Sequence, residues 1–333
     1  MTTESLKETR PTLIAANSSW YLLHYRSMLL KEISKKSLPI SMSPIDSSSK
    51  ELSHISLHIP WKTQRMKDRS LWALIKSTTR AILIIRALKP RLIHAHTVKV
   101  NLIMTLASAM FDIPCIVSYA GLGRSSKSKG IKSVIFRTSM KLTYALGKVT
   151  RKGGIKLEYA DKRCRYIAQN PKDAEELSKI FGKNAEIKII PGSGAPEKYY
   201  NTSYQREVKE YRKTSKQDMK FIYCARLLRT KGIEIFCELS ERKKQGTWIV
   251  YGNMDNAAKD SLNEEDIRLM KEKYKSVVFK GKVKDPLLRK DDDKMEVLII
   301  PSSYGEGMPR AIIEAMALGI PVICNKTATV GLF

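Results

Sequence analysis

The chain has 333 residues, 43% of them hydrophobic, and 60 lysines and arginines against 33 acids give a net charge of +27. This size allows two cores in two domains of about 150 residues each, and so basic a balance suits anionic partners. No run of about 20 apolar residues exists, which excludes an integral membrane span; residues 100–117 come closest, and Asp112 and Pro114 interrupt them.

Residues 1–10 carry no apolar core of a signal peptide. Beyond them, a strand is predicted at 13–16, then a helix capped by Ser18 or Ser19 and running to about Ser37, then a strand at 40–43. An amphipathic helix over 71–88 precedes a strand at 92–95, a helix at 100–110 and a strand at 115–119. Short strands at 167–168 and 187–190 close the first domain. Strands alternating with helices argue for parallel α/β sheets. A polar, charge-rich stretch over 194–219 marks the boundary, giving a first domain at 1–195, a linker at 196–219 and a second domain at 220–333. Strands at 220–224, 247–250, 277–279 and 297–300 build the second domain.

The last of these strands runs into a glycine-flanked loop carrying Glu306, then into a helix begun by Pro309 and stopped by Gly319, with Glu314 inside it. Proline at the first helical position gives up no needed N–H, and glycine just past the end supplies a left-handed cap. Amides around Gly307, Met308 and Arg310, with the helix dipole, can hold an anion such as a phosphate. Two acids eight residues apart can then hydrogen-bond hydroxyl-rich parts of the same ligand. A sugar nucleotide has all of these features.

The string Glu306-x7-Glu314 within EGMPRAIIEAMALGIPVI resembles the signature of retaining glycosyltransferases of the GT-B fold, family-4 type. The resemblance implies that Glu306 contacts the donor sugar and Glu314 the nucleotide ribose, with Gly307, Met308 and Pro309 beside them in the donor site. Upstream, Arg226 and Lys231 lie on a strand-to-helix loop, where parallel sheets place ligand sites. Two permanent cations there can neutralise a diphosphate leaving group. The segment is similar to the family's Gly-Arg-Leu-x-x-x-Lys-Gly, with Ala225 for the usual glycine and Thr230 where an acid is common. Arg226, Lys231 and Glu306 are therefore the implied catalytic groups.

In the first half, Ile93-His-Ala-His96, Ser118-Tyr-Ala-Gly-Leu-Gly123, Gln169-Asn-Pro171-Lys-Asp173 and Ile190-Pro-Gly192-Ser-Gly194 are similar to a bacterial surface-polysaccharide branch of that family, many members of which use lipid-linked acceptors. Gly121 and Gly123 either let backbone approach the donor phosphates or the acceptor, or form a plain turn. Asn170 and Asp173 read as a helix cap with its first-turn acid rather than as catalytic groups. Two departures stand out: Ala16-Asn17-Ser18-Ser19 replaces the usual glycine-rich loop, and Ala120-Gly121 stands for a usual His-Gly. No catalytic histidine carries over. Gly331 falls where the family has a glycine before a further acid, so the resemblance implies a shortened chain with an incomplete second domain.

Residues 121–165 hold 13 lysines and arginines against Glu158 and Asp161, and the helix at 71–88 mixes Trp72, Ile75 and Leu83 with Lys76, Arg80 and Arg86. Such a basic amphipathic surface suits anionic lipid headgroups; alternatively its apolar stripe packs on the sheet and its cations face water. His94 and His96 share one face of a strand, and without a third ligand nearby a strand-end role is expected in place of metal binding. The five cysteines, Cys115, Cys164, Cys224, Cys237 and Cys324, form no CxxC pair, which fits a reducing cytoplasm and no zinc site. Asp291-Asp292-Asp293 precedes a strand, the wrong end for a metal-holding Asp-x-Asp, and reads as a solvated feature.

These observations converge on an α/β chain of two Rossmann-like domains, the GT-B fold. Its expected activity is glycosyl transfer from a UDP- or GDP-linked sugar to a polyprenyl-diphosphate-linked or saccharide acceptor in surface polysaccharide assembly. Retention, no metal and no cofactor are implied, as is a peripheral position on the cytoplasmic face of the inner membrane. The chain carries no nucleic-acid motif. Two alternatives stand beside this: a sugar-nucleotide epimerase on the same fold, and a degenerate transferase that only binds membrane or polyanion.

Overall fold

The computed structural model describes residues 10–62, 71–122, 131–148, 163–182, 185–200, 219–243, 245–255, 258–288, 295–303 and 308–325. The chain divides into two compact units, Met1–Ile190 and Pro191–Phe333.

The first unit runs β1 (Thr12–Ala15), α1 (Ser19–Ser34), β2 (Pro39–Ser43), α2 (Ser49–Ser53), β3 (Leu57–Pro60), α3 (Leu71–Leu88) and β4 (Leu92–His96). It continues with α4 (Val98–Phe111), β5 (Cys115–Tyr119), α5 (Ile131–Lys148), β6 (Cys164–Ala168), α6 (Pro171–Phe181) and β7 (Ile187–Ile189). Its strands form one parallel sheet in the order β3-β2-β1-β4-β5-β6-β7. Side chains alternate between the two faces of a strand, and helices cover the sheet on both faces. Leu13, Ala15, Ile93 and Ala95 join residues of α3, α4, α5 and α6 in one core. Ile14 and Ala16 pack with Leu22 and Leu30 of α1 and Leu52 of α2 on the opposite face. His94 and His96 alternate with Ile93 and Ala95, so they lie on the face that α1 covers.

The second unit opens with a 3-10 turn at Glu197–Tyr200, then β8 (Met219–Cys224), a 3-10 turn at Arg229–Lys231, α7 (Ile233–Arg242), β9 (Thr247–Tyr251) and α8 (Glu264–Lys273). β10 (Val277–Gly281), a 3-10 turn at Pro286–Leu288, β11 (Met295–Ile300), α9 (Arg310–Ala317) and β12 (Val322–Cys324) complete it. The parallel sheet has the order β10-β9-β8-β11-β12. On one face Tyr223, Val250 and Val297 pack with Phe236 of α7 and Met270 of α8. On the other, Ile222, Leu298 and Ile300 pack with Ile312 and Ala315 of α9.

Most predicted strands appear within a residue or two of their expected ends, while β6 starts three residues earlier. α2, β3, α5 and α8 are additional to the predicted set. α2 and β3 span five and four residues, too short to show a period. α8 begins at a readable capping box, Asn263 with Asp266. Two predicted details are corrected. Pro309 is the N-cap of α9, in extended conformation, and Arg310 is its first helical residue. The helix after Lys231 starts one residue later, beyond a left-handed Gly232 at φ 78°. Residues 191–200, placed by the sequence partly in the first domain and partly in a linker, belong to the second unit, where Tyr199 is buried in its core.

Candidate donor-binding site

In the second sheet the strand order reverses between β8 and β11. The helices that follow them, α7 and α9, pack on opposite faces. Chains leaving two such strands part company and open a crevice at their carboxyl ends. The loop after β8 is held in place by backbone bonds: Ala225 N–H donates to Tyr251 O at 3.2 Å and Leu227 N–H to Asn253 O at 2.9 Å. Its end is tied to the loop after β11, because Ser303 N–H donates to Thr230 O at 2.9 Å. Gly232 makes this approach possible. A β-carbon there would sit 2.1 Å from the Pro301 carbonyl oxygen, so only glycine permits both the close contact and the positive φ.

Of the predicted site residues, the structure brings Arg226, Lys231, Met308, Pro309 and Glu314 to this switch point. Arg226 is paired with Asp255, Nη1 to Oδ2 at 2.6 Å, with its side chain about half exposed. Lys231 is buried in the 3-10 turn, at 8% exposure. Pro309, the N-cap of α9, has no side-chain oxygen and makes no side-chain cap bond. Glu314 is buried, and Arg310 Nε donates to its Oε1 at 2.5 Å across one helical turn. Burial pushes the Glu314 carboxyl above its ordinary range, and Arg310 opposes that rise. Its charge is felt at the end of β8, where burial first and Glu314 second push the Cys224 thiol up to about 12. Glu306, Gly307, Gly123 and the Asp291-Asp292-Asp293 triplet lie outside the described residues.

Several contributors went unread in the sequence. A β-carbon on Gly192 would meet Ile313 Cδ1 at 2.5 Å and Met308 Cγ at 2.8 Å, and its φ is +64°. The Pro-Gly-Ser-Gly segment of the first-half motif thus lies against the start of α9. Tyr199 donates to Asp285 Oδ1 at 3.2 Å, Lys198 pairs with the same carboxylate, and burial first and Glu314 second raise the Tyr199 hydroxyl. Only the Arg310 to Glu314 spacing signalled its partnership in advance. In the first unit, Gly121 follows β5 at φ 86°. Asn170 caps α6, accepting from Asp173 N–H at 2.7 Å, the capping role expected of the pair. His94 and His96 are buried with ring centroids 4.2 Å apart.

Residues 218–331 match the family described as Glycosyl transferases group 1. The second unit is a group 1 glycosyltransferase domain. The chain is 26% identical over 302 residues to an uncharacterised glycosyltransferase of Methanocaldococcus jannaschii, covering 84% of this chain and 70% of that one. It is 24% identical over 300 residues to the capsular polysaccharide biosynthesis glycosyltransferase CapM of Staphylococcus aureus, covering 88% and 73%. The fold matches that of Anabaena HepE, solved in complex with UDP, at a TM-score of 0.63 and 16% identity over 95% of this chain and 80% of that one. The fold class is therefore GT-B, and the enzyme class is glycosyl transfer.

This glycosyltransferase also carries an unusual surface on its first unit. In α3 the inward residues Ala81 and Ile85 are buried, as expected of a packed stripe, yet Trp72 is 81% exposed, Leu83 57% and Ile75 46%. Lys76, Arg80 and Arg86 share that outer face, and the helix contains no acid. α5 repeats the pattern, with Val134, Ile135 and Leu142 exposed beside Arg137, Lys141 and Lys148. Among the described residues no helix is long and apolar enough to cross a membrane.

Proposed function

We propose that the protein transfers a sugar from a UDP- or GDP-linked donor to a polyprenyl-diphosphate-linked or saccharide acceptor during assembly of a bacterial surface polysaccharide such as O antigen, capsule or exopolysaccharide. The observation that carries the donor half is the bond from Ser303 to Thr230, which fixes the cation-bearing loop against the loop that leads to Glu306 and α9. In this reading Arg226 and Lys231 take the diphosphate, Glu314 the ribose hydroxyls, and Glu306 the sugar. Arg226 exchanges Asp255 for phosphate oxygens at little cost, because exposed ion pairs are worth only about 0–1 kcal/mol. Lys231, already desolvated, interacts more strongly with a charge that develops on the leaving phosphate. These cations supply the stabilisation that a metal gives elsewhere, and a front-face attack assisted by the leaving group retains configuration without a general base.

The first unit takes the acceptor. Exposed Trp72, Leu83 and Val134 among cations suit a helix pair that lies on an anionic headgroup layer, which supports a peripheral position on the cytoplasmic face of the inner membrane. The names of relatives such as CapM support the polysaccharide context. The test is a melting-temperature screen with UDP, GDP and their sugars, followed by transfer assays with polyprenyl-diphosphate-linked acceptors. Ligands that bind only the native state raise the melting temperature. If no nucleotide does so while anionic vesicles still bind the protein, the donor site is lost and the protein is only a transferase-like binder.

A further inference from the structure

Arg310 stands where a helix disfavours it. It is the first helical residue of α9, and the first turn holds no acid, so its charge lies against the positive end of the helix dipole. Its partner Glu314 follows four residues later, and a cation ahead of an acid helps an isolated helix less than the reverse order. Neither choice serves the helix, yet the two side chains are closely engaged. Arg310 Nε donates to Glu314 Oε1 at 2.5 Å, and the side chains are only 19% and 10% exposed. A guanidinium only donates and an ionised carboxylate only accepts, so the direction of this bond is fixed. Among the described residues Oε1 takes the hydrogen bond and Oε2 takes none. A guanidinium often bridges both oxygens of a carboxylate with its fork; here one oxygen is tied and the other is left for a further donor.

Four other groups bear on Glu314. Lys198 and Tyr199 come from the 3-10 turn at Glu197–Tyr200, Asp285 precedes the turn at Pro286–Leu288, and Cys224 ends β8. Burial pushes the Tyr199 hydroxyl and the Cys224 thiol up, so both stay neutral near neutral pH. Lys198 and Asp285 pair with each other and act on Glu314 in opposite senses. Arg310 is therefore the charge that keeps this carboxylate ionised against its burial.

We propose that Arg310 is a positioning residue of the donor site, which ties Glu314 Oε1 and leaves Oε2 aimed at the ribose hydroxyls of the nucleotide. This rests on the assignment of Glu314 to the ribose, and in it Arg310 acts through the carboxylate and not on the phosphates.

The full chain is titrated with UDP by calorimetry, and with uridine and 2′,3′-dideoxyuridine by competition, at weakly acidic and weakly alkaline pH. Uridine keeps the ribose hydroxyls without phosphate, and the dideoxy compound has neither. Arg310→Gln should weaken UDP and uridine by the same factor, about tenfold at acidic pH. The pH below which both bind poorly should rise, because the buried carboxylate takes a proton sooner without its cation. Arg310→Lys should recover much of that loss, and dideoxyuridine should bind wild type and variant alike. In a Glu314→Gln background, Arg310→Gln should add no further loss. This double variant leaves no buried charge unpaired, so it decides the matter even where Arg310→Gln alone does not fold. A loss of UDP affinity with uridine unaffected would place Arg310 on the phosphates and overturn the proposal, as would a loss that persists beside Glu314→Gln. If UDP does not bind the wild type, the donor assignment itself has failed. If UDP binds wild type and Arg310→Gln with one pH profile, that assignment stands and the positioning role falls.

Discussion

Gly232→Ala probes the junction on which the donor site depends. A β-carbon at this position lies 2.1 Å from the Pro301 carbonyl oxygen and 2.7 Å from its carbon, whereas carbon and oxygen normally approach no closer than about 3.3 Å. The two loops must part by about an ångström, which breaks the Ser303 to Thr230 bond, worth about 1 kcal/mol net. Alanine at φ 78° adds about 1–2 kcal/mol of left-handed strain. The expected destabilisation is about 2–3 kcal/mol, read by urea unfolding. Gly281 supplies the control in the same unit, with φ +68° and nothing within 4 Å of an added β-carbon. Gly281→Ala should therefore show the strain alone, about 1–2 kcal/mol, and leave UDP affinity unchanged, while Gly232→Ala weakens UDP binding about tenfold or more by displacing Lys231. Equal stability and equal UDP affinity in the two variants would refute the claim that this contact holds the site together.

Lys231→Ala, and Lys231→Met to preserve the apolar stem, should lower turnover about 100-fold with native circular dichroism; wild-type rates would remove the leaving-group assignment. Glu314 gives a pH signature. Its carboxyl is raised above the ordinary 4.5 by burial, so the native state holds this proton more readily than the unfolded chain. The stability it contributes falls as pH rises from 4.5 through the raised native value. Affinity for a UDP-sugar, which needs the carboxylate as acceptor, moves the other way and drops as pH falls through that value. Calorimetric titration should show this step in the wild type and its loss in Glu314→Gln; a step that survives the substitution belongs to another group. On the first unit, Trp72→Ser with Leu83→Ser should weaken binding to anionic vesicles about tenfold in sedimentation, and added salt should weaken the wild type as well.

Strand runs such as Phe221-Ile-Tyr-Cys and Val297-Leu-Ile-Ile are apolar because both faces of a parallel sheet are covered, so they were legible from local sequence, whereas the four-residue, largely exposed β3 was not. The same holds for Ser18 and Asn170, whose capping roles depend on neighbours three residues away. The Glu306-x7-Glu314 spacing and the Arg226 to Lys231 loop could be recognised for the same reason: each lies within one strand-loop-helix unit. α5 hid behind its charge, its outer face carrying Val134, Ile135 and Leu142 in the open.

By itself the sequence determined the class of the protein, two parallel α/β units with a sugar-nucleotide signature in the second, because periodicity and turn chemistry act over a few residues. Only the tertiary structure decided that Gly192 supports α9 from more than 100 residues away. It also brought Asp255 to Arg226 and buried His96 with its Nε2 lacking a hydrogen-bond partner among the described residues. Such contacts follow from strand order in the sheets. Strand order is chosen by the burial of whole faces, so no short window of residues contains it.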